Sequence, residues 1–188
     1  MAKKRENSMV EEYIREEKRR YRAAQEYWEP ILLEHFYNED WEMFMHIGLT
    51  VYQVMPIAFA LYDYIPNEYK YDFCTKAYTH HGDSIPAVRK AVRGALKYGK
   101  PKLPQEMADA EYITVYRAGE EPIEKAKYRI SWSASKEVAE FFLNTYLGKH
   151  AKHLYKGKIK PNKIIAYTND RSEQEIMQYA NVYDIEEM

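Results

Sequence analysis

The stretch YITVYRAG, residues 112–119, separates two kinds of sequence in this chain. It is rich in β-branched and aromatic residues, which is typical of a β-strand. The patterns before it indicate helices, and most of those after it indicate strands. Because helices and strands are segregated along the chain, the sequence predicts an α+β fold with a helical first half and a β-rich second half.

The helical region that this division predicts covers residues 1–104. Residues 8–28 repeat their apolar side chains at three- and four-residue steps, the spacing of one helical face. Pro30 suits the first turn of a second helix, and Asn38 suits the cap of a third. The clearest helix is expected over residues 86–98, where it opens with a proline and is followed by glycine.

The β-rich region covers residues 105–188. Besides the first strand, five further strands are expected, and a helix over residues 136–146 follows the second strand at once. The five strands are predicted over residues 128–133, 156–160, 163–168, 173–178 and 181–185. The two regions are expected to pack as one compact unit.

The composition limits the classes of function. Of 188 residues, 46% are hydrophobic, which is enough for a real core, and the formal charge of −1 argues against wholesale coating of nucleic acid. The single cysteine excludes an internal disulfide and a Cys-rich zinc site. The first residues are basic and are followed by further charged residues rather than by an apolar run, so no secretion signal is expected. The most apolar stretch, residues 47–61, is too short to span a bilayer. We therefore expect a cytoplasmic protein with no metal and no membrane partner.

Three polar clusters interrupt strands that would otherwise be plain core. Arg117 ends the first strand, Ser131–Ser133 reads Ser-Trp-Ser, and residues 173–175 read Glu-Gln-Glu. Strand alternation would place the two outer side chains of each tripeptide on one face and the middle side chain on the other. Two aligned carboxylates are costly on a buried face, so this face is expected to line a cleft.

The three clusters, in this order, resemble the Arg-Ser-Glu class of ADP-ribosyltransferases. VYRAG is similar to the family's first-strand arginine motif, SWSASKEVAEFF to its Ser-Thr-Ser motif and following helix, and RSEQEIM to its Glu-x-Glu strand. The resemblance covers about residues 111–185. It implies helices packed on a two-sheet β core, and a mono-ADP-ribosyltransferase that releases nicotinamide from NAD⁺ and transfers ADP-ribose to a macromolecule.

The resemblance also implies the catalytic residues. Glu175 would be the catalytic carboxylate, which holds the ribose 2′-hydroxyl and stabilises the cation that forms as nicotinamide departs. Glu173 would orient the acceptor nucleophile or accept its proton. Ser131 would hydrogen-bond the catalytic carboxylate or the ribose beside nicotinamide.

NAD⁺ itself, as a substrate, would be held by residues of the first two clusters. Arg117 would contact its phosphates or ribose through the planar fork of guanidinium donors. Ser133 would help to build the turn after its strand, and Trp132 would pack the core or shape the pocket. The implied NAD⁺-binding set is therefore Arg117, Ser131, Trp132 and Ser133.

The sequence departs from the family pattern at two places. Trp132 stands where the family has threonine, and the turn before Glu173, residues 169–172, lacks an aromatic residue although this turn helps to choose the acceptor. A glutamate at position 173 usually goes with arginine acceptors in the family, but because this turn lacks an aromatic residue Glu173 indicates only an acceptor-side residue. A protein acceptor is expected first. The lysine-rich residues 149–163 keep a nucleic-acid acceptor as the alternative. Two rivals share the fold: an NAD⁺ glycohydrolase, and a catalytically silent protein that binds or inhibits a partner.

Overall fold

The structure is a computed structural model that describes residues 2–82, 85–146, 151–169 and 172–188. The chain divides into two compact units, Met1–Lys76 and Ala77–Met188. The first is helical, and the second carries all the described strands, so the predicted α+β class is confirmed. Within the described residues, no helix combines the length and the apolar character that a membrane crossing requires.

Four helices build the first unit and lead into the second. They are α1 (Ala2–Tyr37), α2 (Trp41–Thr50), α3 (Met55–Ala60) and α4 (Asn67–His81). The fully or almost fully buried side chains of this unit, which form its core, include Leu32, Phe44, Leu49, Ile65 and Phe73.

Two predicted helix boundaries in this unit are wrong. Helix α1 runs through Pro30 without a break, although proline removes one backbone hydrogen bond. Leu32, just beyond it, is fully buried, and this packing stabilises the helix across the proline. The cap of α2 is Asp40 rather than Asn38, because the Asp40 carboxylate accepts from the backbone N–H of Met43 at 3.3 Å.

The second unit begins with short helices. Helix α5 (Pro86–Gly94) ends in a 3₁₀ turn, Ala95–Lys97, so it is shorter than predicted. Helices α6 (Gln105–Ala108) and α7 (Ile123–Ala126) are single turns. Helix α8 (Lys136–Phe141) follows the second strand as predicted, and it continues as a π-helical turn.

One antiparallel six-stranded sheet forms the rest of this unit. Its strands are β1 (Ile113–Gly119), β2 (Ser131–Ser133), β3 (His153–Ile159), β4 (Ala166–Thr168), β5 (Glu175–Met177) and β6 (Tyr183–Glu187). The order across the sheet is β4-β5-β2-β1-β3-β6. All six predicted strands are present, with shifted ends. Val115, Trp132, Tyr155, Ile159 and Ile176 are among the buried core residues.

The sheet is continuous in the described residues, so the expected two-sheet organisation is not what they form. The two central strands are nevertheless joined weakly: β1 and β2 pair through Tyr116 and Ser133. By contrast, β1 pairs with β3 along its whole length, from Ile113 to Gly119. The half sheets β4-β5-β2 and β1-β3-β6 therefore meet at one residue pair, and this junction positions the candidate site.

Candidate active site

A cleft lies at the β1–β2 junction and is bounded by α8. Its polar lining comes from all three clusters that the sequence singled out: Arg117, Ser131, Ser133, Glu173 and Glu175. Val138, Ala139 and Phe142 supply an apolar wall. The space inside is about 160 Å³, below the roughly 300–1,000 Å³ of pockets that enclose a drug-sized ligand. The cleft can therefore enclose one part of a large ligand but not the whole of it.

Cross-strand pairing sets the floor of the cleft. Ser133 pairs with Tyr116 of β1 on one side and with Glu175 of β5 on the other. Directly opposed residues of antiparallel strands project from the same face of a sheet, with Cβ atoms about 4.5–5.5 Å apart. A phenol, a hydroxyl and a carboxylate thus stand in one row. The sequence did not identify Tyr116 as part of this row, because the strand register was unknown.

Glu173 and Glu175 both line the cleft. The expectation that strand alternation places them on one face is wrong. Strand β5 begins only at Glu175, and Gln174 has a φ of 46°, so strand alternation does not relate the two acids. A turn brings Glu173 to the cleft instead. The Gln174 carbonyl accepts from the N–H of Ala134 at 2.9 Å, which ties this turn to the end of β2. Residues 170 and 171 lie outside the described residues.

The Ser133 hydroxyl fastens the same turn. It donates to the carbonyl of Glu173 at 2.7 Å and accepts from the N–H of Ser135 at 3.0 Å. Ser133 is only 8% exposed. Its hydroxyl therefore couples the turn after β2 to the segment that carries Glu173, in line with the turn-building role that the family resemblance implied. Ser135 caps α8 by accepting from the N–H of Val138 at 3.2 Å.

Ser131 and Trp132 both border the cleft, but they differ in burial. Ser131 lines the cleft and is half-buried. Trp132 is 2% exposed and belongs to the hydrophobic core, and its indole N–H donates to the carbonyl of Arg129 at 3.2 Å. The Trp132 ring thus supports the strand from the core and presents almost no surface to a ligand.

Arg117 lies inside β1 rather than at its end, and its guanidinium bridges the two central strands. Its Nη1 donates to the carbonyl of Ser131 at 2.6 Å, and its Nε donates to Glu121 Oε1 at 2.8 Å. Arg129 Nε lies 3.2 Å from the same Glu121 oxygen. Two arginines thus share one carboxylate oxygen.

Glu121 is a member of this site that the sequence did not identify. Its side chain is 5% exposed. Burial raises the pKa of its carboxyl, but the charge and hydrogen bond of Arg117, together with the charge of Arg129, outweigh burial and hold the pKa below its usual range. Tyr155 donates to the Glu121 carbonyl at 2.5 Å.

Gly119 makes room for this carboxylate. A Cβ atom at position 119 would stand 2.6 Å from Glu121 Oε2. In the sequence, the glycine two residues after Arg117 was therefore the feature that could have indicated a group packed closely against this strand.

A second, smaller hollow adjoins the cleft. Its lining includes Arg117, Gly119, Glu121 and Arg129, and it encloses about 140 Å³. Arg117 and Ala118 belong to both linings. The guanidinium of Arg117 thus stands at the boundary between the cleft and a hollow whose charged lining consists of two arginines and two glutamates, Glu120 and Glu121.

The lysine-rich residues 149–163 present less positive charge than their sequence suggests. Lys156 lies 2.9 Å from Glu186, and Lys158 lies 3.3 Å from Asp184, both on the neighbouring strand β6. The acids of β6 therefore offset two of the six lysines on which the nucleic-acid alternative rested. Lys149 and His150 lie outside the described residues.

Comparison with known proteins adds no relative to this picture: no family model, no curated protein and no solved structure matches the chain. A function for this chain must therefore come from the chemistry of the cleft and from the motifs that line it.

Proposed function

We propose that this chain is a mono-ADP-ribosyltransferase that uses NAD⁺ as its substrate and Glu175 as its catalytic carboxylate. One observation carries the proposal: three segments that are distant in sequence, at Arg117, at Ser131–Ser133 and at residues 173–175, line a single cleft. Each cluster alone has an ordinary structural explanation as an ion pair, a cap or a solvated edge. A bound substrate would explain why an arginine, two serines and two acids all line one cleft.

The reaction breaks the bond between C1′ of the ribose and N1 of nicotinamide. The electron pair of that bond leaves with nicotinamide, which becomes neutral, and positive charge passes to the ribose. A carboxylate placed beside the sugar stabilises this cation. In the proposal that carboxylate is Glu175, which stands next to Ser133 in the cross-strand row.

The acceptor then forms a new bond to C1′ and loses a proton. Glu173 lines the same cleft and is carried by a turn rather than by the strand. We assign it to the acceptor side, where its carboxylate accepts the proton and passes it to water.

Arg117 belongs to the phosphate side of the substrate. The cleft, at about 160 Å³, is too small for the whole dinucleotide, so in the proposal it receives only the nicotinamide end. The guanidinium groups of Arg117 and Arg129 both line the neighbouring hollow, and the proposal assigns their N–H donors to the diphosphate.

The test is transfer of label from NAD⁺ labelled in its adenylate phosphate to the macromolecules of a cell lysate. We expect the unmodified protein to transfer label, Glu175→Gln to transfer none, and Glu124→Gln to transfer as much as the unmodified protein. Glu124 is a matched control because it is an exposed glutamate of α7 outside the lining of the cleft. Equal transfer by Glu175→Gln would contradict the proposal, and consumption of NAD⁺ without labelled macromolecule would identify water as the acceptor.

A further inference from the structure

Helix α5 and the turn after it are strongly amphipathic. Val88, Val92 and Ala95 are fully buried. The opposite side exposes only basic side chains among its charged residues: Arg89, Lys90, Arg93 and Lys97. Because the apolar side is already covered, this helix has no free apolar face to insert into a lipid surface.

The positive charge of this surface is not matched by any acidic residue within its own segment of the chain, residues 85–105. Residues 85–105 contain six basic residues and no acidic residue. The lysines of β3, by contrast, lie beside the acids of β6. The two basic stretches therefore differ in their partners: in the described residues, Lys156 and Lys158 lie in ion pairs with β6, whereas Arg89, Lys90 and Lys97 lie in none.

Aromatic rings lie among these cations. The Arg93 guanidinium lies 3.7 Å from the centroid of the Tyr179 ring. The rings of Tyr179 and Tyr128 are 6.1 Å apart, and Lys127 Nζ lies 4.9 Å from the centroid of Tyr128. Tyr128 is 48% exposed. We define the basic–aromatic face by its members: Arg89, Lys90, Arg93, Lys97, Lys127, Tyr128 and Tyr179.

We propose that the basic–aromatic face binds single-stranded nucleic acid. Lysine and arginine neutralise phosphates, while exposed rings and guanidinium planes stack on bases that are not enclosed in a duplex. A duplex or an acidic protein would use the cations but leave the exposed Tyr128 ring without a role. The combination of unneutralised cations with an accessible ring therefore favours a single strand.

The face lies near the proposed catalytic strand along the chain. Glu175 is the first residue of β5, and Tyr179 follows the last residue of that strand by two positions. Four residues of chain span at most about 14 Å. The binding proposal does not depend on the transferase proposal, because Glu175→Gln is expected to bind nucleic acid as well as the unmodified protein does.

The test is fluorescence anisotropy of the full chain with labelled polyuridine about 16 nucleotides long, the upper site size of a single binding domain. The face variant is Arg89→Gln/Lys90→Gln/Arg93→Gln. The matched control, Lys136→Gln/Lys156→Gln/Lys158→Gln, removes three charges that are already paired with carboxylates. We expect the face variant to bind at least about tenfold more weakly, with the control nearly unchanged. The slope of the logarithm of the binding constant against the logarithm of the salt concentration is expected to shrink by about 2 in the face variant.

Tyr128 tests the stacking part of the proposal. Tyr128→Ala is expected to weaken binding about tenfold, and Tyr128→Phe is expected to bind normally because it keeps the ring. Any one of four results would overturn the proposal: no binding at low salt, equal losses in the two triple variants, an unchanged affinity in Tyr128→Ala, or equally tight binding of a duplex or of anionic vesicles.

Discussion

Glu121 and Glu175 are both glutamates of the sheet unit, but their surroundings differ. The Glu121 side chain is 5% exposed and lies within 3.2 Å of two arginines. Glu175 is half-buried at the start of β5 and lines the cleft. The difference separates two kinds of acid in one site. A carboxylate that is committed to arginines fixes the geometry, and a carboxylate that faces the cleft is placed to meet a substrate.

The largest expected effect on stability comes from removing the buried carboxylate. The side chain of Arg117 is largely buried, and Glu121→Ala removes the negative charge that it contacts. We therefore expect the free energy of unfolding to fall by about 3 kcal/mol. Urea denaturation measures this loss. Glu124→Ala, at an exposed position of α7, is expected to change stability by less than about 0.5 kcal/mol. A loss as small in Glu121→Ala as in this control would show that the cluster does not hold the strand junction.

A smaller effect is expected from crowding the same carboxylate. In Gly119→Ala the new Cβ would meet Glu121 Oε2 at 2.6 Å and Oε1 at 2.9 Å, and moving the carboxylate disturbs the contacts of Oε1 with the two arginines. We expect a loss of about 2 kcal/mol in urea denaturation. Gly94→Ala is the matched control, because a Cβ there meets nothing within 4 Å and its φ is −90°. Equal stability of Gly119→Ala and the unmodified protein would mean that Glu121 is not fixed.

The turn beside Glu175 gives a smaller effect still. Ser133→Ala removes the hydroxyl that joins Glu173 to Ser135, so we expect a loss of about 1 kcal/mol in unfolding free energy. Since the hydroxyl positions the segment that carries Glu173, transfer to the acceptor is expected to fall more than release of nicotinamide. The two rates are measured with the same preparation of NAD⁺. An equal fall in both rates would contradict this coupling.

The smallest expected effect is a dependence of stability on pH. Arg117 and Arg129 hold the pKa of Glu121 below its usual 4.5 despite burial. A depressed folded-state pKa contributes stability above the unfolded-state value, and that contribution is lost as the pH falls through the folded-state pKa. The unmodified protein is therefore expected to exceed Glu121→Gln in stability near neutral pH, and the gap should narrow below about pH 4.5. Urea denaturation of both proteins between neutral and acid pH checks this, and a gap that widens in acid has the wrong sign.

Local signals in the sequence predicted much of the fold. The β-branched residues of β1 and the proline at the start of α5 placed those elements correctly. Gly82, with a φ of 63°, donates its N–H to the carbonyl of Tyr78 at 2.7 Å at the end of α4. The prediction that a new helix starts at Pro30 was wrong, because the burial of Leu32 outweighed the preference of proline for the first turn of a helix.

Register and long-range pairing could not be predicted. The pairing of Ser133 with Tyr116 and Glu175 depends on which residues of three strands lie opposite one another, and a slip of one residue would reverse every face. The same holds for Lys156 and Glu186, which lie 30 residues apart in sequence. The motif residues of the site were therefore identifiable in advance, whereas the partners that position them, above all Glu121, were not.

We propose that Glu175 serves catalysis while Glu121 serves structure. The direct measurement is the rate of nicotinamide release from NAD⁺ by Glu175→Gln and Glu121→Gln, with the unfolding free energy of each protein determined on the same preparations. We expect Glu175→Gln to lose at least about 100-fold in rate with unchanged stability, and Glu121→Gln to lose stability while it retains a measurable rate. A Glu175→Gln protein that is fully active, or that is inactive only because it is unfolded, would contradict the claim.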